Sequence, residues 1–219
     1  LYMTGKIKKP GRVDHRDSFL DNHSLERQRG ITIFSKQAML AWEDIEITLL
    51  DTPGHVDFSS EMERTLSVLD YAILVVSGSA GVQGHTRTLW HLLEQYKVPV
   101  FLFVNKMDMP DTDKETLMAE LTEELDSNCV DFGQEDITIF YENLAMCDEK
   151  MMNSFLDGGE IEKADIKRAI RKRKVFPCFF GSALRLQGVE ELLTGLSQYI
   201  SEQTYPQQFG AREFKITRD

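Results

Sequence analysis

Short apolar runs recur along the chain between more polar segments. Residues 71–76 and 99–104 are nearly continuous apolar runs, a pattern typical of strands that helices cover on both faces of a sheet. Residues 35–42 and 45–51 predict a hairpin that turns at residues 43–44. The apolar pattern therefore predicts both a hairpin and buried strands.

Helical spacing of apolar residues predicts helices between and after these strands. The predicted ranges are about 59–69, 85–96, 113–126 and 187–202. Asp111 and Asp113 each offer a side-chain oxygen of the kind that begins many helices. Because strands and helices alternate along the chain, we expect an α/β fold with a mostly parallel sheet and helices on both faces.

A polar motif follows the apolar run that ends at Val104, namely Asn105-Lys106-Met107-Asp108. Ligands of open α/β folds bind at this carboxyl edge of the sheet. The Asp108 carboxylate can accept the N1 and N2 protons of guanine, an arrangement that adenine does not offer. The Asn105 amide can reach the base N7 and tie neighbouring loops together, while the Lys106 stem covers the ring. The alternative interpretation is a polar turn that caps a strand.

The stretch D-T-P-G-H at residues 51–55 follows the second strand of the predicted hairpin. Asp51 can hold Mg²⁺ through water, because this ion prefers oxygen ligands and keeps several waters. Gly54 has no Cβ, so its N–H can approach a terminal phosphate, and His55 is then positioned to orient a water. Alone, the stretch could be an ordinary strand-to-helix turn. Its pairing with the motif at residues 105–108 favours a nucleotide site.

Two weaker segments fit the same site. Thr32 follows Arg29-Gly30-Ile31 and offers a hydroxyl that could ligate Mg²⁺ when a γ-phosphate is present. Ser182 and Ala183 lie in a G-S-A turn after the apolar run 175–179, where the Ala183 N–H could contact the guanine carbonyl. Taken singly, Thr32 could be a β-favouring residue and the turn a run of small residues. Their order along the chain supports the nucleotide interpretation.

With these motifs the chain resembles a translational GTPase of the elongation factor G type. The runs L-E-R-Q-R-G-I-T-I at residues 25–33 and D-T-P-G-H-V-D-F at residues 51–58 are most similar to the tetracycline-resistance ribosomal protection proteins. So are residues 66–74 and 81–83. The resemblance covers nearly the whole chain and implies a P-loop-GTPase-type fold, GTP or GDP and Mg²⁺ as cofactors, and the ribosome as the partner that stimulates hydrolysis.

The resemblance also implies which residues form the site. His55 would be catalytic, and Thr32 and Asp51 would hold the metal. The GTP-binding residues would be Asp51, Thr52, Pro53, Gly54, His55, Asn105, Lys106, Asp108, Ser182 and Ala183.

By the same resemblance, residues 1–203 form the GTPase domain and contain an inserted α/β subdomain at about 128–174. Residues 204–219 are expected to form a linker and the first strand of a β-barrel domain, with strand-like alternation at residues 211–217. Six cations cluster at residues 167–174. They are either an RNA or ribosomal-protein contact or a solvated helix face opposite local carboxylates.

The phosphate-binding loop G-x-x-x-x-G-K-S/T does not occur in the sequence. That loop supplies the N–H cradle and the lysine for the β- and γ-phosphates. We therefore expect the sequence to be an N-terminally truncated piece, inactive alone, that lacks a central strand and exposes two unpaired ladders. The alternative is a relative that binds GTP without hydrolysing it.

Composition limits the remaining choices. The 219 residues carry a net charge of −11, which argues against a polyphosphate binder that relies on overall charge but permits local basic patches. Three cysteines lack metal-ligand spacing, as expected of reduced thiols in a cytoplasmic protein. We expect a monomer with no membrane segment.

Other functions share some of these motifs. An elongation factor G-like translocase and a peptide-release-factor GTPase would share all of them. A binding module without enzymatic activity would explain the missing phosphate loop. An ATPase of similar topology is disfavoured, because the Asp108 carboxylate would repel the acceptor N1 of adenine.

Overall fold

The computed structural model describes residues 1–8, 26, 32–158, 160–201, 208 and 210–211. The chain divides into two units, one of residues 1–69 with 206–219 and the other of residues 70–205. Residues 27–31 of the predicted metal-side segment lie outside the described residues, as do residues 212–217 of the strand expected near the end of the chain.

The predicted hairpin is present in the first unit. β1 (Lys36–Trp42) and β2 (Ile45–Asp51) pair antiparallel along their full lengths. Glu43 in the turn has a φ of 50°, the left-handed conformation that tight hairpins need. One 3-10 turn (Val56–Phe58) and helix α1 (Ser59–Leu66) follow, so the D-T-P-G-H stretch joins a strand to a helix.

The second unit has the predicted α/β architecture. Its four strands are β3 (Ala72–Ser77), β4 (Val100–Asn105), β5 (Cys129–Asp131) and β6 (Phe176–Phe180). They are parallel and lie in the order β3-β4-β6-β5. Residues 100–104 are all buried, which explains why β4 reads as a continuous apolar run.

Helices of the second unit flank these strands. They are α2 (Gly84–Gln95), α3 (Lys114–Glu124), α4 (Ile137–Cys147), α5 (Glu149–Gly158), α6 (Lys163–Arg171) and α7 (Val189–Tyr199). Of the two candidate capping residues, Asp113 caps α3, because its carboxylate accepts the Thr116 N–H at 2.8 Å. The sequence analysis did not predict α4, which Asp136 caps by accepting the Thr138 N–H at 2.9 Å.

The segment between β5 and β6 packs into the core of the sheet. Leu144, Met151 and Ile170 from its helices are fully buried in the same cluster as Phe103 of β4 and Leu196 of α7. β5 lies inside the range predicted for the insertion, and it pairs with β6 as part of the main sheet. The described part of this segment therefore shares one core with the rest of the unit.

Both sheets have open edges among the described residues. The β1-β2 pair has no third strand, and β3 pairs with β4 alone. On β3, Ile73 and Val75 are 38% and 58% exposed, whereas Leu74 and Val76 are buried. These edges are unpaired within the part of the chain that the structure describes.

The three cysteines are free thiols, as predicted. Burial raises the pKa of Cys147 to about 12 and raises the pKa of Cys178 in the same way. Because the thiolate is the reactive form, these side chains are protonated and chemically quiet near neutral pH.

No helix in the described part of the chain is both long enough and apolar enough to cross a bilayer.

Arg173 fastens the end of the α6 segment to the start of β4. Its Nη1 donates to the Val98 carbonyl at 2.5 Å. The guanidinium carbon lies 5.1 Å from the ring centroid of Trp90 and 5.0 Å from that of Phe176. One half-buried cation therefore joins α2, the chain two residues before β4, and β6.

We expect Arg173→Ala to lower the free energy of unfolding by about 2–4 kcal/mol. It removes a charged hydrogen bond worth about 1.5–3 kcal/mol and ring contacts worth about 0.5–2 kcal/mol. Urea unfolding of the 219-residue chain measures the change. Arg171→Ala is the control, because Arg171 is exposed and a surface change of this kind stays within about 0.5 kcal/mol. Equal stability of the two variants would contradict the fastening role.

Candidate functional site

The buried strand β4 delivers Asn105 to the carboxyl edge of the sheet. Asn105 lies opposite Ser77 of β3 in the parallel register, and its carbonyl accepts the Gly78 N–H at 2.7 Å. The next residue, Lys106, has a φ of 66°, so the chain turns sharply at this point. The end of β4 is thus held by the hydrogen bond to Gly78, and the chain turns away directly after it.

The side-chain oxygen of Asn105 joins two loops. It accepts the Lys106 N–H at 2.8 Å and the Ala183 N–H at 2.9 Å. A second link runs from the Met107 N–H to the Gly181 carbonyl at 3.0 Å. Since an amide oxygen has two lone pairs, the Asn105 oxygen is fully used, and its NH₂ group is left to face a ligand.

Asp108 lies in the same cluster and is ionised. A hydrogen bond from the Ser182 side chain lowers the pKa of Asp108, and the charge of Arg185 lowers it further, against the opposing effect of desolvation. The Arg185 Nε lies 3.3 Å from Oδ2, and the Asp108 side chain is 11% exposed. An ionised carboxylate only accepts hydrogen bonds, so Asp108 offers an acceptor pair to a ligand with adjacent N–H donors.

The loop after β6 is a closed turn that leaves no room for a larger residue at Gly181. The Ser182 and Gln187 backbones exchange two hydrogen bonds of 3.0 Å. A Cβ at Gly181 would lie 2.1 Å from the Gln187 carbonyl oxygen. Ser182 is buried, while Ala183 and Leu184 on the outer side of the turn are exposed. Tight packing therefore fixes the serine that bonds to Asp108.

One predicted contact is made differently. The Ala183 N–H, expected to meet a guanine carbonyl, already donates to Asn105. The next N–H, that of Leu184, donates to no acceptor among the residues that the structure describes. A base carbonyl at this turn would share the Ala183 N–H or use that of Leu184.

The D-T-P-G-H stretch lies at the end of β2 in the first unit. Pro53 is buried, and Gly54 and His55 are exposed. Nothing lies within 4 Å of where a Gly54 Cβ would stand. The His55 Nδ1 accepts the Asp57 N–H at 3.3 Å, and its side chain is 49% exposed. The imidazole is therefore anchored at one nitrogen and open to solvent at the other.

Glu26 anchors the segment that follows Thr32. This carboxylate is fully buried and accepts the N–H groups of Ile33 and Phe34 at 3.0 and 3.1 Å. It also forms an ion pair with Lys36. Thr32 is half-buried and engaged in an interaction of its own. Glu26 thus fixes the backbone that positions the predicted metal-side hydroxyl.

The structure groups the predicted residues within each unit. Asn105, Asp108 and Ser182 form one hydrogen-bonded cluster with Ala183 in the second unit. In the first unit, residues 51–55 are consecutive on one connection. The described residues contain no group of three or more His, Cys, Asp or Glu side chains able to hold a metal. A hydroxyl and one carboxylate still fit Mg²⁺, which keeps several waters.

Sequence reasoning missed Glu26 and Arg185 as parts of the site. Arg185 stands two residues after the G-S-A turn, and this proximity could have suggested a contact with Asp108. Glu26 lies in a polar run, and nothing in the local pattern marks it as buried.

One cavity lies away from these residues. It has a volume of about 800 Å³ and is lined by residues of α3, β5 and α4. The cluster of Asn105 and Asp108 forms an open edge, and its hydrogen-bonding groups make it the stronger functional candidate.

Comparison with known proteins gives a consistent result. Residues 1–202 match the family described as the elongation factor Tu GTP binding domain. The chain is 35% identical to the tetracycline resistance protein TetP of Clostridium perfringens, a match that covers 91% of this chain and 34% of that protein. It is 33% identical to TetO of Streptococcus mutans, with 88% and 33% covered. It is 34% identical to elongation factor G 1 of Bdellovibrio bacteriovorus, with 91% and 36% covered.

A solved structure from Thermus thermophilus has the same fold. The TM-score is 0.81 at 23% sequence identity, over 92% of this chain and 37% of that one. The chain thus spans about a third of the length of the curated relatives it matches.

We expect Ser182→Ala to raise the pKa of Asp108 toward its ordinary value, because the largest cause of the lowering is the Ser182 hydrogen bond. A carboxylate with a lowered folded-state pKa stabilises the protein above its unfolded pKa, and this contribution disappears as pH falls through the folded pKa. The variant should reduce that pH-dependent part of the stability.

Carboxyl NMR titration measures the Asp108 pKa. Ser154→Ala is the control, because its hydroxyl bonds only the Lys150 carbonyl. An Asp108 pKa that stays the same in Ser182→Ala would show that this hydrogen bond does not set it.

Proposed function

The chain belongs to the elongation factor Tu GTP-binding domain family, and we propose that it binds and hydrolyses GTP as part of a ribosome-associated translational GTPase. The observation that carries the proposal is the hydrogen-bonded cluster of Asn105, Asp108, Ser182 and Ala183. The cluster presents an acceptor pair and a donor at the edge of the sheet where α/β folds bind ligands.

Guanine recognition follows from the groups that the cluster leaves available. The ionised Asp108 accepts the N1 and N2 protons, and the Asn105 NH₂ donates to N7. The exposed Lys106 stem covers one face of the ring. Adenine has an acceptor at N1 and would be repelled by the carboxylate, so the site selects guanine.

Residues of the first unit are assigned to the metal and the terminal phosphate. The Thr32 hydroxyl and the Asp51 carboxylate are the oxygen donors that suit Mg²⁺, which when bound neutralises charge on the phosphates. The exposed Gly54 backbone is open to a γ-phosphate, because nothing packs near its Cα. Loss of that phosphate would release the loops around Thr32 and Gly54.

His55 is assigned to orient the attacking water. Its Nδ1 is held by the Asp57 N–H, so the ring can present its other nitrogen in a set direction. Unstimulated GTPases of this type are slow, and an activating partner adds about 10³–10⁵-fold. We propose that the ribosome is this partner.

The relatives named for tetracycline resistance support a ribosomal protection protein as the first candidate for the whole protein. An elongation factor G-type translocase is the second candidate, because elongation factor G 1 matches at nearly the same identity and coverage. We assign the protein to the cytoplasm as a monomer, in keeping with its free thiols.

We propose that the 219 residues alone bind GTP weakly and do not hydrolyse it. Their sequence contains no G-x-x-x-x-G-K-S/T loop, and that loop carries the N–H cradle and lysine for the phosphates. The two tests below therefore use the longest product of the gene.

We expect Asp108→Asn to shift the preference from guanosine to xanthosine nucleotides. Xanthine presents a carbonyl where guanine has an amino group, so an amide donor suits it, whereas guanine loses two charged hydrogen bonds of about 1.5–3 kcal/mol each. Calorimetry should show GDP affinity reduced at least about a hundredfold. Asp111→Asn is the matched control, since Asp111 is an exposed neighbour. Unchanged GDP affinity in Asp108→Asn would refute the base assignment.

We expect His55→Ala to reduce ribosome-stimulated GTP hydrolysis by about 10²-fold or more, while GTP binding changes little, because the variant removes a water-orienting group. Single-turnover hydrolysis with purified ribosomes gives the rate. His91→Ala is the control, because His91 is exposed and only faces Glu94 at 3.6 Å. Equal stimulated rates for His55→Ala and the unchanged protein would remove His55 from the catalytic assignment.

A further inference from the structure

A small pocket of about 320 Å³ lies where α5 and α6 meet the chain that leads to β6. Every residue that lines it is charged. The lining residues are Asp148, Glu149, Lys150, Arg168, Lys172 and Lys174. The residues assigned to GTP do not include any of them, so the pocket is separate from the proposed nucleotide site.

Two buried carboxylates hold the cations of this pocket, namely Asp148, which lines it, and Asp165, which does not. Asp148 accepts Lys174 Nζ at 2.5 Å and Arg168 Nη2 at 3.4 Å. Asp165 accepts Lys150 Nζ and Arg168 Nη1, each at 2.6 Å. Asp148 also accepts the Lys150 N–H at 3.1 Å at the start of α5. Each carboxylate therefore holds two cations in fixed positions.

The two aspartates are buried, whereas the lysines that pair with them are exposed. The side chains of Asp148 and Asp165 are 6% and 8% exposed, whereas those of Lys150 and Lys174 are 59% and 50% exposed. A ligand that approaches from solvent meets these ammonium groups before the two buried aspartates, and the lining also includes one exposed carboxylate, that of Glu149. Lys172 adds a cation that has no ion-pair partner among the described residues. The pocket thus presents a cationic rim that is organised before any ligand binds.

We propose that this pocket binds the backbone phosphates of ribosomal RNA. The identity of the RNA rests on the proposed function, while the preference for an anion rests on the rim alone. Lysine ammonium groups act as point charges without fixed geometry, which suits contacts to phosphate that carry no sequence information. The Arg168 guanidinium is committed to Asp148 and Asp165 and serves to position the rim.

The lining chemistry favours RNA over an acidic protein. Protein interfaces have an apolar core from which Lys, Asp and Glu are depleted, and this pocket has no apolar lining residue. It also has no aromatic side chain on which a base could stack. Because the whole chain carries −11, overall charge does not attract RNA, and binding would depend on this local rim.

The test uses the longest product of the gene and a short fluorescein-labelled RNA duplex of arbitrary sequence. Fluorescence anisotropy over a KCl series gives Kd and its salt dependence. Lys172→Glu should weaken binding about fivefold or more and lower the slope of log Kd against log salt by about 1. Lys172 has no partner to lose, so folding should be preserved, which thermal unfolding checks.

Two further variants distinguish the contribution of the pocket to RNA binding from that of overall charge. Arg171→Glu makes the same charge change one residue away, on an exposed side chain that does not line the pocket, and should leave the slope nearly unchanged. Lys172→Arg keeps the charge and should retain binding. Both Glu variants should keep the unstimulated rate of GTP hydrolysis.

Other outcomes overturn the proposal. Equal weakening by Arg171→Glu would show that only overall charge matters. No RNA binding by the unchanged protein would remove the site, and displacement of RNA by polyglutamate at a similar charge concentration would identify an acidic protein as the ligand class. Failure of GTP binding with Lys172-dependent RNA binding intact would refute the proposed function and leave the phosphate site standing.

Discussion

The side-chain oxygen of Asn105 holds together the loops on which the candidate site depends. It accepts one N–H from its own turn and one from Ala183, 78 residues further along the chain. Because β4 is buried between β3 and β6, the position of this oxygen is fixed by the core. The G-S-A turn is tied to that fixed point, and Ser182 then bonds to Asp108. The donor and acceptor pattern offered to a base is thus set by folding, which lowers the ordering cost of binding.

Elements with strong local signals could be predicted from the sequence. The hairpin, the continuous apolar strands and the Asp113 cap each have a physical cause that acts over a few residues. Helix α4 was missed because Ile137, Thr138 and Ile139 favour strands in isolation. Its Asp136 cap and the burial of Leu144 in the shared core outweigh that preference. β5 is only three residues long, and it pairs with β6, whose residues are far away in the sequence.

In the candidate site, too, local motifs could be predicted from the sequence, whereas contacts between distant residues could not. Asn105, Asp108 and the stretch at residues 51–55 are linear motifs, so the sequence shows them directly. Arg185 acts because the turn at Ser182 brings it to Asp108, and Glu26 acts because it is buried beneath the Thr32 segment. Neither contact follows a sequence period. The net charge of the chain is similarly uninformative about local sites, because a value of −11 does not reveal the cationic rim around Asp148 and Asp165.

Buried carboxylates recur in this molecule as organisers of position. Glu26, Asp148 and Asp165 each hold several donors while nearly or fully buried. An ion pair of this kind adds little net stability, since well-packed apolar residues of the same volume can do as well or better. Stability alone therefore does not account for them. What an apolar replacement could not do is fix charged or backbone donors at set points. Glu26 does this for the backbone after Thr32, and the two aspartates do it for cations that face solvent.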